Sequence, residues 1–235
     1  MTRRLFIVRP EPGASASVAR AAALGLAAVA MPLFEVVPVA WEVPDVEAFD
    51  GLVLTSANTV RWGGAGLERL RGLPVFAVGQ ATAVTATGAG FEVVGIGTGD
   101  GVELMREMAE GLHGERWVPA FAGELKLLHL CGVEHVGLEG TVAVAVYEAR
   151  AFPVVEGLAG LSGQVVAVHS ARAAGRLREV VEARRLPLAG IAVAAISARA
   201  AAALGPGWRA VAVAERPDDP ALLEVAARLC HTDQR

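Results

Sequence analysis

The chain carries no excess of either charge, few aromatic residues, two cysteines and a single tyrosine. Each scarcity excludes something. A formal net charge of -4 over 235 residues gives no basic field for nucleic acid, so an anionic ligand has to be held by local groups. Cys131 and Cys230 lie too far apart for a C-x-x-C or zinc-ligand pair and are expected to be two reduced thiols. Although 54% of the residues are hydrophobic, no run approaches the roughly 18 to 20 apolar residues of a membrane span. The opening MTRRLFIVRPEPG has only Leu5 to Val8 before Arg9 and Pro10, too short for a signal-peptide core. These features together point to a soluble cytoplasmic protein with no membrane or nucleic-acid partner. In GIGTGDG (95–101), Asp100 stands where a dinucleotide fingerprint needs its third glycine, and no phosphate-loop motif occurs, so no nucleotide cofactor is expected. The five histidines share no zinc spacing, so no metal is expected either, and His129 in an apolar strand reads as a satisfied core residue. His169-Ser170 lacks the G-x-S-x-G elbow of a hydrolase.

What is abundant is alternation. RLFIV (4–8) reads as a strand and 15–29 as a helix with Val18, Ala22, Leu26 and Val29 on one face. LFEVVPVAWEV (33–43) is extended, but Pro38 makes it an edge or connecting strand. Strands then follow at GLVLT, 74–78, 91–96 and 125–131, with helices expected over 58–70, 80–89 and 101–112. A second extended stretch, TVAVAVYEARAF (141–152), precedes strands at 164–169, 191–196 and 209–214 and helices at 171–185 and beyond. The last helix is expected to open with Asp219 as cap and Pro220 in its first position. Such alternation predicts an α/β protein with parallel sheets flanked by helices.

The two halves repeat. An offset of 114 lays LVLTSANTV on VAVHSARAA, with Ser56 on Ser170, and one of 118 lays VFAVGQATA on VAAISARAA, with Gly79 on Ser197. With an extended connector on each side of the middle segment, the expectation is a discontinuous lobe of 1–36 plus 152–235, a second lobe of 45–140, and a two-stranded β linker of 37–44 and 141–151. A ligand is then expected in a cleft beyond the carboxyl ends of the strands.

Four strand-to-helix turns have the composition to receive an anion: Ser56-Ala57-Asn58, Gly79-Gln80-Ala81-Thr82, Ser170-Ala171-Arg172 and Ser197-Ala198-Arg199. Unpaired amides and the helix dipole favour a carboxylate there, small side chains let it approach, and each hydroxyl adds a donor. Read one at a time, Ser56 and Ser170 are equally well N-caps, worth about 1 kcal/mol each. Arg9, Arg172 and Arg199 tilt the set toward anion binding, since guanidinium forks match carboxylates. Tyr147, the only tyrosine, either donates to a leaving group or fills a half-buried strand position.

In order along the chain, VRP (8–10), FDGLVLTSANTV (49–60), FAVGQATAVTATGAGF (76–91), LLHLCG (127–132), VAVYEA (144–149), VVAVHSARAAG (165–175) and AAISARAAAALG (195–205) resemble the uroporphyrinogen-III synthase family. The resemblance implies two flavodoxin-like lobes joined by a two-stranded linker. It also implies a monomeric, cofactor-free lyase of heme and other tetrapyrrole biosynthesis. Its substrate would be hydroxymethylbilane, closed to uroporphyrinogen III with inversion of ring D and loss of water. A transient contact with hydroxymethylbilane synthase belongs to the same expectation. By the resemblance Tyr147 falls on the family's linker tyrosine, as donor to the departing hydroxyl, and Ser56, Thr82 and Ser170 on its substrate hydroxyls. Arg9, Ala57, Asn58, Gly79, Ala81, Ala171, Arg172, Ser197 and Ala198 complete the expected substrate-binding set. Two departures stand out: Ala200 where a threonine matching Thr82 is common, and a segment before Tyr147 too short for a helix plus a strand. The alternative is a non-enzymatic two-lobed binding protein for a small anionic metabolite.

Overall fold

Residues 3–97, 99–110 and 125–231 are described by a computed structural model of the chain. It divides into two compact units, Met1–Glu35 with Arg150–Arg235, and Val36–Ala149.

The first unit is built on strands β1 (Leu5–Ile7), β2 (Ala28–Ala30), β9 (Val165–Val168), β10 (Ala192–Ala195) and β11 (Ala210–Val213), all parallel, in the order β11-β10-β9-β1-β2. Taken in chain order within the unit this is the 2-1-3-4-5 arrangement of flavodoxin-like sheets. Near-continuous apolar strands such as VVAV and AVAA suit a sheet covered on both faces. Successive residues point to opposite faces: Val166 and Val168 pack with Leu177 and Val181 of α5 (Ala171–Ala183) and Leu204 of α6 (Ala198–Leu204). Val165 and Ala167 pack instead with Ala14 and Ala21 of α1 (Gly13–Ala23) and Leu222 and Leu223 of α7 (Asp219–His231).

Two expectations are corrected here. The helix expected over 15–29 ends at Ala23, Gly25 turns the chain at φ 75, and Val29 lies in β2, so the buried face is Ala14, Ser17 and Ala21. Helical periodicity ran on through the turn because alanine and valine satisfy either period. The cap of α7 is Asp218, whose Oδ1 accepts the Ala221 amide at 2.8 Å, and this leaves the Asp219 side chain for other partners.

The second unit's sheet has the order β3-β8-β7-β4-β5-β6. Its strands are β3 (Phe34–Pro38), β4 (Gly51–Leu54), β5 (Val75–Val78), β6 (Val93–Gly97), β7 (Leu127–Gly132) and β8 (Thr141–Ala151). Leu52, Leu54, Leu128, Leu130 and Val146 fill one face and Val53, Phe76 and Leu127 the other, the latter against Leu104 of α4 (Gly101–Ala109). The helix expected over 58–70 breaks at Gly63 and Gly64 (φ 67) into α2 (Ala57–Trp62) and a 3-10 segment over 64–70. The helix expected at 80–89 is α3 (Gln80–Gly88). The last two positions of the helix expected over 101–112 lie outside the described residues. β3, with Pro38 at its end, is the edge strand, as a missing ladder donor requires.

Strand pairing tests the repeat independently. Leu52 of β4 pairs with Val75 of β5, and Val166 of β9 pairs with Val193 of β10, so the two offsets of 114 and 118 describe one register. β7 and β8 take the places in the second sheet that β1 and β2 take in the first, so the second unit follows the same order from a different starting point. Between β7 and β8, however, residues 133–140 hold no helix.

Candidate functional site

In an open parallel sheet the strand order reverses at one point, and the connections there leave the carboxyl ends in opposite directions. In the first unit that point lies between β1 and β9, just before Arg9 and Ser170; in the second it lies between β7 and β4, at Gly132 and just before Ser56.

At the second unit's reversal point, the Tyr147 phenol lies beside the Ser56 hydroxyl, close enough for it to act on the phenol's titration. Two features bring Tyr147 there. β7 and β8 run parallel with Cys131 opposite Ala145, but the register then slips so that Gly132 faces Tyr147 and Val146 turns into the core. The Tyr147 ring then lies on the bare Cα of Gly132: a Cβ at that glycine would meet Cε2 at 2.9 Å, Cζ at 3.0 Å and Oη at 3.2 Å. Burial raises the pKa of Tyr147, the Ser56 hydroxyl works against that, and the nearby Cys131 adds to it. The phenol therefore stays protonated at neutral pH. Ser56 Oγ also accepts the Asn58 amide at 3.2 Å, and Asn58 Oδ1 accepts from Arg61 at 3.3 Å. Below them His129 Nε2 meets Thr55 Oγ1 at 3.1 Å, and burial, helped by His135, lowers its pKa to about 4. Its Nδ1 has no hydrogen-bond partner among the described residues, so only half of the imidazole is satisfied.

At the first unit's reversal point the charges are concentrated on Asp219. Its Oδ1 accepts from His169 Nε2 at 2.6 Å and from Ser17 Oγ at 2.7 Å, its Oδ2 accepts from Arg20 at 2.6 Å, and Arg9 stands 3.7 Å away. Burial alone would raise the Asp219 pKa, yet His169, Ser17 and Arg20 together hold it well below the usual carboxylate value. Burial lowers the pKa of His169 more than Asp219 raises it, so a neutral imidazole donates Nε2–H to a carboxylate whose charge the arginines balance. Arg9 also lies over Gly13, where a Cβ would meet its Nε at 2.5 Å.

The remaining expected residues fall at the carboxyl ends of their sheets, unit by unit. Ser170 and Ser197 cap α5 and α6, accepting the amides of Ala173 at 3.0 Å and Ala200 at 3.2 Å. Ala171 and Ala198 open those helices, and Arg172 stacks over the Phe34 ring at 4.6 Å. Gly79 adopts φ 76, which favours glycine, ahead of the exposed Ala81 on α3. Ala57 is buried, as are Thr82, at 5% exposure, and its repeat partner Ala200, at 0%. The hydroxyl missing at Ala200 thus leaves a methyl in the core. Sequence reasoning missed the Asp219 cluster and the seat of Tyr147 on Gly132. The doublet Asp218-Asp219 was a usable signal for the first, because one cap needs only one carboxylate. Among the described residues no three His, Cys, Asp or Glu side chains are grouped to hold a metal ion, and no helix is long and apolar enough to cross a membrane.

Two parallel α/β units with hydroxyl-rich strand ends define the class. The family model described as Uroporphyrinogen-III synthase HemD matches residues 15–224, and the chain belongs to the uroporphyrinogen-III synthase family, lyases of heme biosynthesis. Among solved structures, the uroporphyrinogen-III synthetase of Helicobacter pylori 26695 is similar at a TM-score of 0.63 and 19% identity, over 97% of this chain and 99% of that one. A mutant uroporphyrinogen III synthase of the extremely thermophilic bacterium Thermus thermophilus is similar at a TM-score of 0.53 and 18% identity, over 97% and 98%. At these identities the structural likenesses speak for the fold, and the family match carries the function. Comparison with curated proteins finds no match. Nothing favours the alternative of a non-enzymatic binding protein.

Proposed function

We propose that this chain closes hydroxymethylbilane to uroporphyrinogen III with Tyr147 as the group that assists departure of the terminal hydroxyl. The observation that carries this assignment is the half-buried phenol seated on Gly132, beside Ser56, at the strand-order reversal of the second unit. A phenol that keeps its proton at neutral pH can donate a hydrogen bond to the leaving oxygen as the carbon–oxygen bond breaks. The hydroxyl leaves as water, the resulting azafulvene cation is attacked by the ring D carbon that already bears the bridge, and the spiro intermediate reopens and closes in the inverted sense. Because the uninverted isomer forms spontaneously, the protein has to supply chiefly placement of the reacting ends.

Placement falls to the groups that meet the substrate's acetates and propionates: Arg9, Ser170, Ala171, Arg172, Ser197 and Ala198 in the first unit, and Ser56, Ala57, Asn58, Gly79, Ala81 and Thr82 in the second. Ser170 and Ser197 cap their helices through their oxygens, and each retains a proton for a carboxylate. The chain works as a monomer without a cofactor and takes its unstable substrate from hydroxymethylbilane synthase through transient contact. The test supplies porphobilinogen and hydroxymethylbilane synthase with and without this protein, oxidises the products and separates the porphyrin isomers. Type III porphyrin is expected; type I as the sole product would sink the proposal. Tyr147→Phe should lower kcat about a hundredfold, within the range of a lost proton donor, with folding intact.

A further inference from the structure

We propose that Gly132 is a positioning residue for the reaction: the absence of its side chain, combined with the register slip in β8, is what places the Tyr147 hydroxyl beside Ser56. The proposal rests on the assignment of Tyr147 and adds the device that aims it. Three observations converge. β7 and β8 are parallel, and bulges are rare in parallel pairs, so a slip at Cys131/Gly132 is a feature to be explained. In regular register the residue opposite Gly132 would be Val146; the slip leaves Val146 fully buried in the core and brings Tyr147 across from the glycine. The ring then occupies the volume of a Gly132 side chain, with three of its atoms, the hydroxyl oxygen included, within 3.2 Å of the Cβ that is absent.

Gly132 needs no glycine for backbone reasons, since it is not among the glycines with positive φ. What a side chain would change is the place of the phenol. Any Cβ there forces the ring off the end of β7, and Ser56 is fixed by its capping bond to Asn58, so it cannot follow. A displacement of about 1 Å at a reacting group can cost on the order of a hundredfold in rate.

The test is Gly132→Ala, read in two ways. As the only tyrosine in the chain, Tyr147 gives a single resonance in protein labelled with 13C at tyrosine Cζ. In the variant that signal should move and its titration should fall toward about 10, the value of an open phenol. Turnover should fall roughly ten- to a hundredfold in kcat with KM little changed, and Gly132→Ala added to Tyr147→Phe should cost no more than Tyr147→Phe alone. An unmoved tyrosine signal overturns the proposal, whatever the turnover. Unchanged turnover in Tyr147→Phe rejects the donor assignment instead, and the resonance still decides the positioning. If Gly132→Ala does not fold, Gly132→Ala/Tyr147→Leu becomes the measure: recovered folding shows that ring and Cβ compete for one place, and a double variant as unfolded as the single one refutes it.

Discussion

Replacing His129 by leucine should flatten the acid side of the stability profile. His129 is 1% exposed in β7, and burial, with His135 edge-on at 5.7 Å between ring centroids, lowers its pKa from 6.5 to about 4. In the unfolded chain it titrates near 6.5. Between these values the unfolded state binds a proton that the folded state refuses, so stability rises with pH across the window. The contribution is complete above about pH 6.5, declines as pH falls toward 4, and levels off below. A shift of about 2.5 units corresponds to about 3 kcal/mol over the whole window, of which about 2 kcal/mol is lost by pH 5. Urea unfolding followed by far-UV circular dichroism at about pH 8 and pH 5 reads this directly. The parent should lose about 2 kcal/mol more than His129→Leu between the two conditions. His169, lowered in the same direction, is present in both proteins and cancels. Leucine fits an apolar strand and forfeits the edge contact with His135 and the Thr55 hydrogen bond, the latter about 1 kcal/mol and independent of pH. Equal losses in the two proteins would refute the argument that a neutral, half-satisfied imidazole is held there by burial.

The two aspartates before Pro220 should separate by mutation. Asp218→Ala removes a helix cap and should cost about 1 kcal/mol in thermal or urea unfolding. Asp219→Ala strands His169, Ser17 and Arg20 together and should cost about 2 to 3 kcal/mol; equal effects would mean that the cap and the cluster have been assigned to the wrong residues. Because the Asp219 carboxyl is held below its ordinary value, its contribution is present above about pH 4 and is lost as pH falls below that. Asp219→Asn should therefore lose less stability than the parent in strong acid, measured by the same denaturation.

Strands such as β9 and β10 were legible because they are uninterrupted apolar runs, and the serines ahead of α2, α5 and α6 because a cap must be a short acceptor. The boundary between α1 and β2 was not, since Ala22, Val29 and their neighbours satisfy a period of 3.6 or of 2 equally well. The Gly63-Gly64 break is written in the sequence, but Leu67 and Leu70 of the 3-10 segment continue the apolar spacing across it and mask it.

By itself, the sequence determined the alternation of strand and helix, the internal repeat with its two offsets, and the positions of the capping serines. All of these follow from local periodicity and from side chains acting on their own backbone. Only the tertiary structure decided that Ser56 meets Tyr147, that Tyr147 rests on Gly132, and that Asp219 serves His169 while Asp218 caps the helix. The Asp219 cluster joins residues up to 202 positions apart, as Ser17 and Asp219 are. These pairings depend on strand order and on a register slip between neighbouring strands, and neither leaves a periodic trace in the chain.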